Sequence, residues 1–579
     1  MSILPKSIFV FASAIILSQP VLAQGIWPWN KKPKTESEQT SPDYYNQDSF
    51  AGNYLASRFA QQKRDWEAAH DFMKLALKQV EDKSFESHNL VVALAAGQTQ
   101  EAVDIAKAVQ LNDPENLSDF AELLLIADDF KNKEYDAAIE KLESIQSGPF
   151  KVLVQPVLLR WALCALEKDD PREANEKSAL DLLHSALVAE IRGNLKIAEK
   201  NFDKLGLLDS SASTRLVIAD YHARQGKTDK AAEIYTELKI NNPDFIGFDE
   251  RLQAIETDDK NALDDLINIG QYKDPKGGAA MAIVNIARYF YQERSYDSAL
   301  LFAQTAMHIS KEMEGINVLL GDIHVKQNNL DQAIDSYAQE RSGSPYFLQA
   351  QLKIAQTQRK QENFDAALTS LEAVLSEFPS NSEALFQYGE TFRIKESFKE
   401  AIKVYNQIEN LYADPDKFPQ RYANIFYVRG IAYEQTGKWN AAVKDFERAL
   451  EFFPDNPYIL NYLGYGLADR GENLDKALEM IEMAVSLRPY DGFIRDSLGW
   501  VHYREGRYED ATKVLERAVE LEAYDPVIND HLGDAYWRTG RVSEAKFQWR
   551  RALNHSDDPA LIESITQKLE SGLPDPQDL

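Results

Sequence analysis

The sequence predicts an all-α fold, a solenoid of helix-turn-helix repeats, on three observations. Its 579 residues are too many for one compact core, so the choice lies between several globular domains and a repeat array that buries its surface locally. Apolar positions recur at helical spacing, and no run alternates apolar and polar residues well enough to make a persuasive strand. Similar segments return at a spacing of about 34 residues, which favours the array. Hydrophobic residues form 44% and aromatics 11% of the chain, enough to fill such a core and unlike a disordered composition.

At the amino end, Lys6 precedes the apolar stretch Ile8 to Leu17, and Val21-Leu22-Ala23 offers the small-x-small pattern of a signal peptidase site. A signal peptide over 1–23, cleaved after Ala23, is therefore expected. Position 24 is Gln rather than the Cys that a bacterial lipoprotein needs as its acceptor, so the mature chain is expected free in the periplasm. Residues 24–44 carry Trp27-Pro28-Trp29, then Lys31, Lys32, Pro33 and Lys34 and a polar run. They read as a flexible linker without periodicity.

Degenerate repeats are expected over 45–286. Candidate centres are Trp66 with Ala69 and Ala76, Ala102 with Pro114, Tyr135 with Ala138, and Leu195 with Ala198 and Phe202. Ala219 follows, with Gly226, Ala231, Tyr235 and Pro243 at repeat spacing, and one more degenerate unit must fit before Ala287. The register is hardest to follow between Pro149 and Pro171. Cys164 is the only cysteine and sits in an apolar run, which excludes an internal disulfide or a cysteine metal cluster and reads as core.

From 287 to 557 the units are well formed. Small residues mark the first helix of each: Ala287, Gly321, Ala355, Gly389, Gly430, Gly464, Gly499 and Gly533. Two extra stretches, around Asp414 to Gln420 and Gly471 to Leu474, fall in turns, so the helices keep register. Between Val428 and Leu450 the chain reads VRGIAYEQTGKWNAAVKDFERAL, and between Leu532 and Leu553 LGDAYWRTGRVSEAKFQWRRAL. Gly464, Gly499 and Gly533 would let paired helices approach closely, with Phe446, Leu515 and Trp549 filling the space beside such positions. A capping helix and tail are expected over 558–579.

These residues resemble the tetratricopeptide repeat family, whose helix-turn-helix unit carries W-x2-L-G-x2-Y…A-x3-F…P. In the unit of Gly430 the matching positions are Tyr433, Ala442, Phe446, Ala449 and Pro454. The resemblance implies a solenoid of roughly 13 to 15 repeats. A narrower likeness, carried by LNYLGYGLADRGENLDKALEMIEMAVSLRPYDGFIRDSLGWVHYREGRYEDA and INDHLGDAYWRTGR, is to proteobacterial envelope proteins of this family. Those include lipoproteins that present cell-wall hydrolases to a carboxyl-terminal processing protease. The missing lipidation cysteine departs from that pattern and leaves both anchoring and the particular partner open.

Chemistry is scarce. The chain has no H-E-x-x-H, no G-x-S-x-G and no G-x-x-x-x-G-K-[ST], and Gly464-Tyr465-Gly466 is explained by the repeat rather than by a nucleotide loop. His502 occupies the Tyr433 and Tyr536 position and reads as a core histidine. The pairs Asp128-Asp129 and Asp557-Asp558 are expected near helix ends, solvated or capping. No enzyme activity, no cofactor and no metal site are expected. With 64 Lys and Arg against 92 Asp and Glu, the net charge of −28 repels nucleic acid and anionic lipid and keeps a long array soluble.

What remains is surface. In this family the first helices line the concave face, and residues one and four or five after the anchor, with those three before it, look into the groove. Here these are Tyr465, Trp500 and Asp534, then Tyr503, Arg504, Trp537 and Arg538, and Asn461, Asp496 and Asp530. Aromatic rings beside polar groups suit capture of an extended peptide or a protein surface. The expected function is a periplasmic protein-binding scaffold or protease adaptor. The alternative is an assembly factor for outer-membrane proteins, pili or surface polysaccharide.

Overall fold

The structure, a computed structural model, describes residues 49–79, 85–112, 114, 117–241, 247–267, 273–412, 414 and 418–574. The expected signal peptide, linker and Trp27-Pro28-Trp29 lie outside them, as does Pro243. Among the described residues the regular elements are α-helices and short 3-10 turns, with no strand. They divide into two compact units, one ending at Pro379 and the other beginning at Ser380. Among the described residues, and leaving aside the irregular helices Gly148–Leu153 and Gln155–Ala165, helix pairs number nine in the first and five in the second, within the expected range.

In the second unit the pairs run from Ser382–Ile394 with Phe398–Leu411 to Pro526–Arg538 with Val542–His555, followed by the lone helix Pro559–Ser571. Every anchor glycine faces a large side chain on the second helix of its own pair. A Cβ at Gly430 would come within 2.6 Å of Phe446, at Gly499 within 2.5 Å of Leu515, and at Gly533 within 2.4 Å of Trp549. No side chain larger than hydrogen fits there, which is why glycine holds the seam. Successive helices start cleanly because Asn456, Asp491, Asp525 and Asp558 accept from backbone N–H groups of the first turn, with proline at N1 after three of them. The 558 acid thus caps, as expected.

Successive first helices touch, as Pro457–Asp469 does Gly492–Arg504 and Gly492–Arg504 does Pro526–Arg538, whereas the second helices of adjacent pairs stand farther apart. The first helices therefore line the inner, concave side of this unit.

The first unit holds the weaker repeats in place: Ala69, Ala76, Ala102, Ala138, Ala198, Phe202, Ala231 and Tyr235 are all buried. Leu195 is exposed at the start of Leu195–Leu208. The degenerate unit before Ala287 is the short pair Phe248–Glu256 and Lys260–Leu266. Between 148 and 165 the pairing lapses into Gly148–Leu153 and Gln155–Ala165, where register was hardest to read.

Burial in this unit is not local, which departs from the expectation of an array. Pro275–Gln292 packs on Gln155–Ala165 and Ala179–Ile191, and Tyr296–Ile309 packs on Glu86–Ala95 and Asp119–Asn132. One core consequently joins residues from Ala95 to Ile323, and Cys164 lies in it. A Cβ at Gly278 would fall 2.4 Å from Trp161, so the returning helix meets the indole face directly. Phe302 closes the contact, 5.2 Å from Phe120, 5.8 Å from Phe150 and 5.1 Å from Phe290 between ring centres.

That closure corrects the reading of Asp128 and Asp129 as solvated or capping acids. They are 5% and 7% exposed. Asp128 meets Lys107 at 2.6 Å and His308 at 2.9 Å, and Asp129 meets Lys141 at 2.6 Å. The returning helix Tyr296–Ile309 covers the end of Asp119–Asn132 and brings the imidazole with it. Burial pushes the Asp128 carboxyl up, but the bonds from Lys107 and His308 outweigh it and hold the carboxyl below its usual range.

Candidate functional site

The predicted groove residues stand on three first helices of the second unit, Pro457–Asp469, Gly492–Arg504 and Pro526–Arg538. The structure sorts them into two groups. Tyr465, Trp500 and Tyr503 are half-buried and Arg504 is exposed. Trp500 and Tyr503 stack as an aromatic patch with Arg504 at its charged edge, and Tyr465 stands at the Trp500 position of the preceding repeat. Trp500 lies between Tyr503, centroid at 4.9 Å and nearly parallel, and His531 at 4.1 Å. Its indole N–H donates to Asp469 at 3.3 Å, and Arg504 donates to the Asp469 carbonyl. Burial pushes the Tyr465 hydroxyl well above its ordinary pKa, with Asp469 and Asp496 adding to the effect.

The other group does not face open space, and the expected groove is corrected there. Asn461, Asp496, Asp530 and Asp534 are buried. Asp496 accepts from His531 Nδ1 at 3.0 Å. Asp530 and Asp534 share the Lys568 ammonium at 2.7 and 2.8 Å, and Asp534 also accepts from the Trp549 indole at 2.9 Å. Trp537 packs on Trp549 and against Gly572, and Arg538 donates to the Pro574 carbonyl at 2.7 Å and to the Tyr503 hydroxyl at 3.2 Å. The physical reason is the chain's own carboxyl end. Pro559–Ser571 buries Ile565 against the last pair and lays Lys568 over the two acids.

Burial and the neighbouring Asp530 push the Asp534 carboxyl up to about 6, while Lys568 pulls against both. Burial opposes a charge on His531, yet Asp496 carries its pKa upward. Sequence reading missed Asp469, His531 and Lys568. Asp469 was legible in principle, since it lies five positions after Gly464 on a predicted concave stripe, whereas His531, two positions before Gly533, falls outside the predicted stripes. Lys568 was not legible either, because the tail repeats no pattern.

No group of three His, Cys, Asp or Glu side chains suited to a metal ion occurs among the described residues. No helix among them is long and apolar enough to cross a membrane.

Family models for the tetratricopeptide repeat match residues 352–417, 423–456 and 497–558. Over these stretches the chain carries tetratricopeptide repeats. The TPR repeat-containing protein PA4667 of Pseudomonas aeruginosa is 40% identical over 88 residues, which span 15% of either chain. Among solved structures, a tetratricopeptide repeat protein from Parabacteroides merdae is 17% identical, over 44% of this chain and 98% of its own, with a TM-score of 0.36. MamA is 25% identical, over 31% of this chain and 93% of its own, with a TM-score of 0.28.

Proposed function

We propose that this chain is a non-catalytic scaffold of the bacterial periplasm, exported by a cleaved signal and free of lipid, that captures peptide or protein partners on the concave face of its second unit. The aromatic patch of Trp500 and Tyr503 edged by Arg504, with Tyr465 at the matching position of the preceding repeat, is the observation that carries this reading. Tyr, Trp and Arg are the side chains that dominate binding energy in protein interfaces, because each joins a large apolar area to a directed polar group. The carboxyl-terminal helix marks the limit of the surface, since Trp537 and Arg538 are already taken.

Presentation of substrates to an envelope protease is the finer form of the proposal. It is supported by the likeness of the carboxyl half to envelope adaptors. Cross-linking in intact envelopes followed by pull-down should recover a protease together with its substrates. Recovery of outer-membrane, pilus or polysaccharide assembly machinery instead would select the assembly-factor reading.

Trp500→Ala is expected to weaken the recovered partner's binding by about 2 kcal/mol or more, read by titration with purified partner. Thermal unfolding belongs beside it, because the stack on His531 also stabilises the fold. Lower stability with unchanged affinity would assign Trp500 to packing alone.

A further inference from the structure

Adjacent repeats are tied laterally by a recurring pair. The residue one after an anchor reaches the residue two before the next anchor, on the following first helix. Asp220 thus meets Arg251 at 3.1 Å, Asp322 meets Lys353 at 2.7 Å, and Trp500 stacks on His531 at 4.1 Å. Arg288 holds this place after Ala287, and the residue two before Gly321 is Leu319. An aliphatic side chain offers a guanidinium no acceptor. Arg288 accordingly makes neither hydrogen bond nor ion pair among the described residues.

Its side chain lines a cavity of about 230 Å³ in the first unit. Asn285 and Gln292 reach the same cavity from the same stripe of Pro275–Gln292, and Met281, Met313 and Tyr346 supply apolar wall. The other charges of the wall are committed. Arg224 is held by Glu190 at 2.9 and 3.0 Å and Arg251 by Asp220. Asp209 accepts from the Thr214 hydroxyl at 2.6 Å and the Ser211 N–H at 2.9 Å, and Glu314 pairs with Arg341 at 3.7 Å. One cation is left over, and it faces the space.

We infer that this cavity binds the carboxylate of an acidic side chain on an extended partner peptide, with an apolar neighbour of that residue seated on Met281 and Met313. The volume lies below the roughly 300 to 1,000 Å³ of drug-sized sites, so it admits side chains rather than a nucleotide. A single carboxylate matches the fork of one free guanidinium. A phosphate dianion would meet three carboxylates in the wall, those of Asp209, Asp220 and Glu314, and is disfavoured. The site is separate from the Trp500 patch and stands or falls without it.

Fluorescence anisotropy with the full chain tests this. The probes are short labelled peptides whose centre is Leu-Glu-Leu, with twins carrying Gln or phosphoserine in place of Glu. The Glu peptide should bind about tenfold tighter than the Gln twin, the factor that one charge-assisted bond supplies. Arg288→Gln should erase that preference without moving the melting curve, since it removes no hydrogen bond or ion pair, and Trp500→Ala should leave the preference intact. If Arg288→Gln proves unstable, Arg288→Lys keeps the charge without the fork and should retain part of the preference. Absence of binding, equal binding of Glu and Gln peptides, tighter binding of the phosphoserine twin, or a preference that survives Arg288→Gln each overturns the inference.

Discussion

The two units use the same helix pair to different ends. In the second, neighbouring pairs within the unit meet in succession, and the cores are set by glycines that face one large side chain apiece. In the first, the pair Pro275–Gln292 and Tyr296–Ile309 also returns to helices more than a hundred residues earlier, and a shared core results. Local stacking keeps stability additive along the chain, whereas the return ties distant repeats into one cooperative body at the cost of closing long loops. Polar groups follow the same division. The first unit buries Asp128 with His308, 180 residues apart, a pairing that exists only because the chain returns.

The return is the comparison's most exposed point. Trp161→Ala removes the indole against Gly278 and should cost about 3 to 5 kcal/mol, the range for deleting a large aromatic from a core. Hydrogen exchange should then speed up in helices from Asp119 to Ile309, while those from Asn424 to His555 keep their protection. Equal loss in both units would mean they are not separate cooperative bodies. A smaller and local effect is expected in the second unit, where Ala511→Leu overpacks the seam beside Gly499 and should cost about 1 to 3 kcal/mol. Its exchange signature should stay between Asn424 and His555. A rise in the first unit would break the contrast from the other side.

How much of this was legible in the sequence follows the same line. The anchors from Gly321 to Gly533 and the buried alanines around them could be read from periodicity, because the contacts that fix them lie within one repeat or between neighbours, and the burial of Cys164 could be read from its apolar run. The return could not, since nothing in a repeat pattern says which distant helix a pair will meet. Gly278 and the run of small residues after it, Ala279, Ala280 and Ala282, were the available sign of close approach by another element. Asp128 was misread for the same reason: on the isolated helix it ends an amphipathic stretch, and His308 from far along the chain helps to bury it, while Asp129 is taken up by Lys141 of the next helix. In the groove, the positions came from the repeat, but occupancy of its last level depended on a tail that repeats nothing.

Acid should separate the units. His184 is pushed down to about 3 by full burial, with Arg160 nearby, and His324 to about 4 by burial, while burial also lowers His308 despite its bond to Asp128. Such histidines take up protons on unfolding, so their share of stability is complete above about 6.5 and drains as pH falls toward the folded values. The second unit carries the opposite sign. His531 is raised by Asp496 against its burial, so its contribution is complete below about 6.5 and fades as pH rises through the folded value. Asp534, raised to about 6, favours the fold below about 4 and loses that contribution by about 6. Between pH 7 and pH 5 the first unit's melting temperature should fall by several degrees, at about 2 to 4 °C per kcal/mol, and the second unit's should hold or rise. A common shift in calorimetry would show that buried histidines do not distinguish them.

The finest difference lies in the turns inside the pairs. The second unit mostly places glycine in the left-handed residue between first and second helix, as Gly506 and Gly540 do with φ of 77° and 78°. The first unit often puts a side chain there: Arg294, Asn328 and Glu362 have φ of 60°, 65° and 61°. A residue with a Cβ pays roughly 1 to 2 kcal/mol for that conformation, and glycine gives part of this back through its freer unfolded chain. Asn tolerates the region better than Arg or Glu. Glu362→Gly should therefore stabilise the first unit by about 0.5 to 1 kcal/mol, and Asn328→Gly by less. Chemical denaturation followed by exchange in Phe347–Lys360 and Phe364–Glu377 would measure it. Equal gains at Glu362 and Asn328 would mean that unfolded-state entropy, not strain in the turn, governs these positions, and a loss at Glu362 would show that its side chain contributes more than its backbone costs.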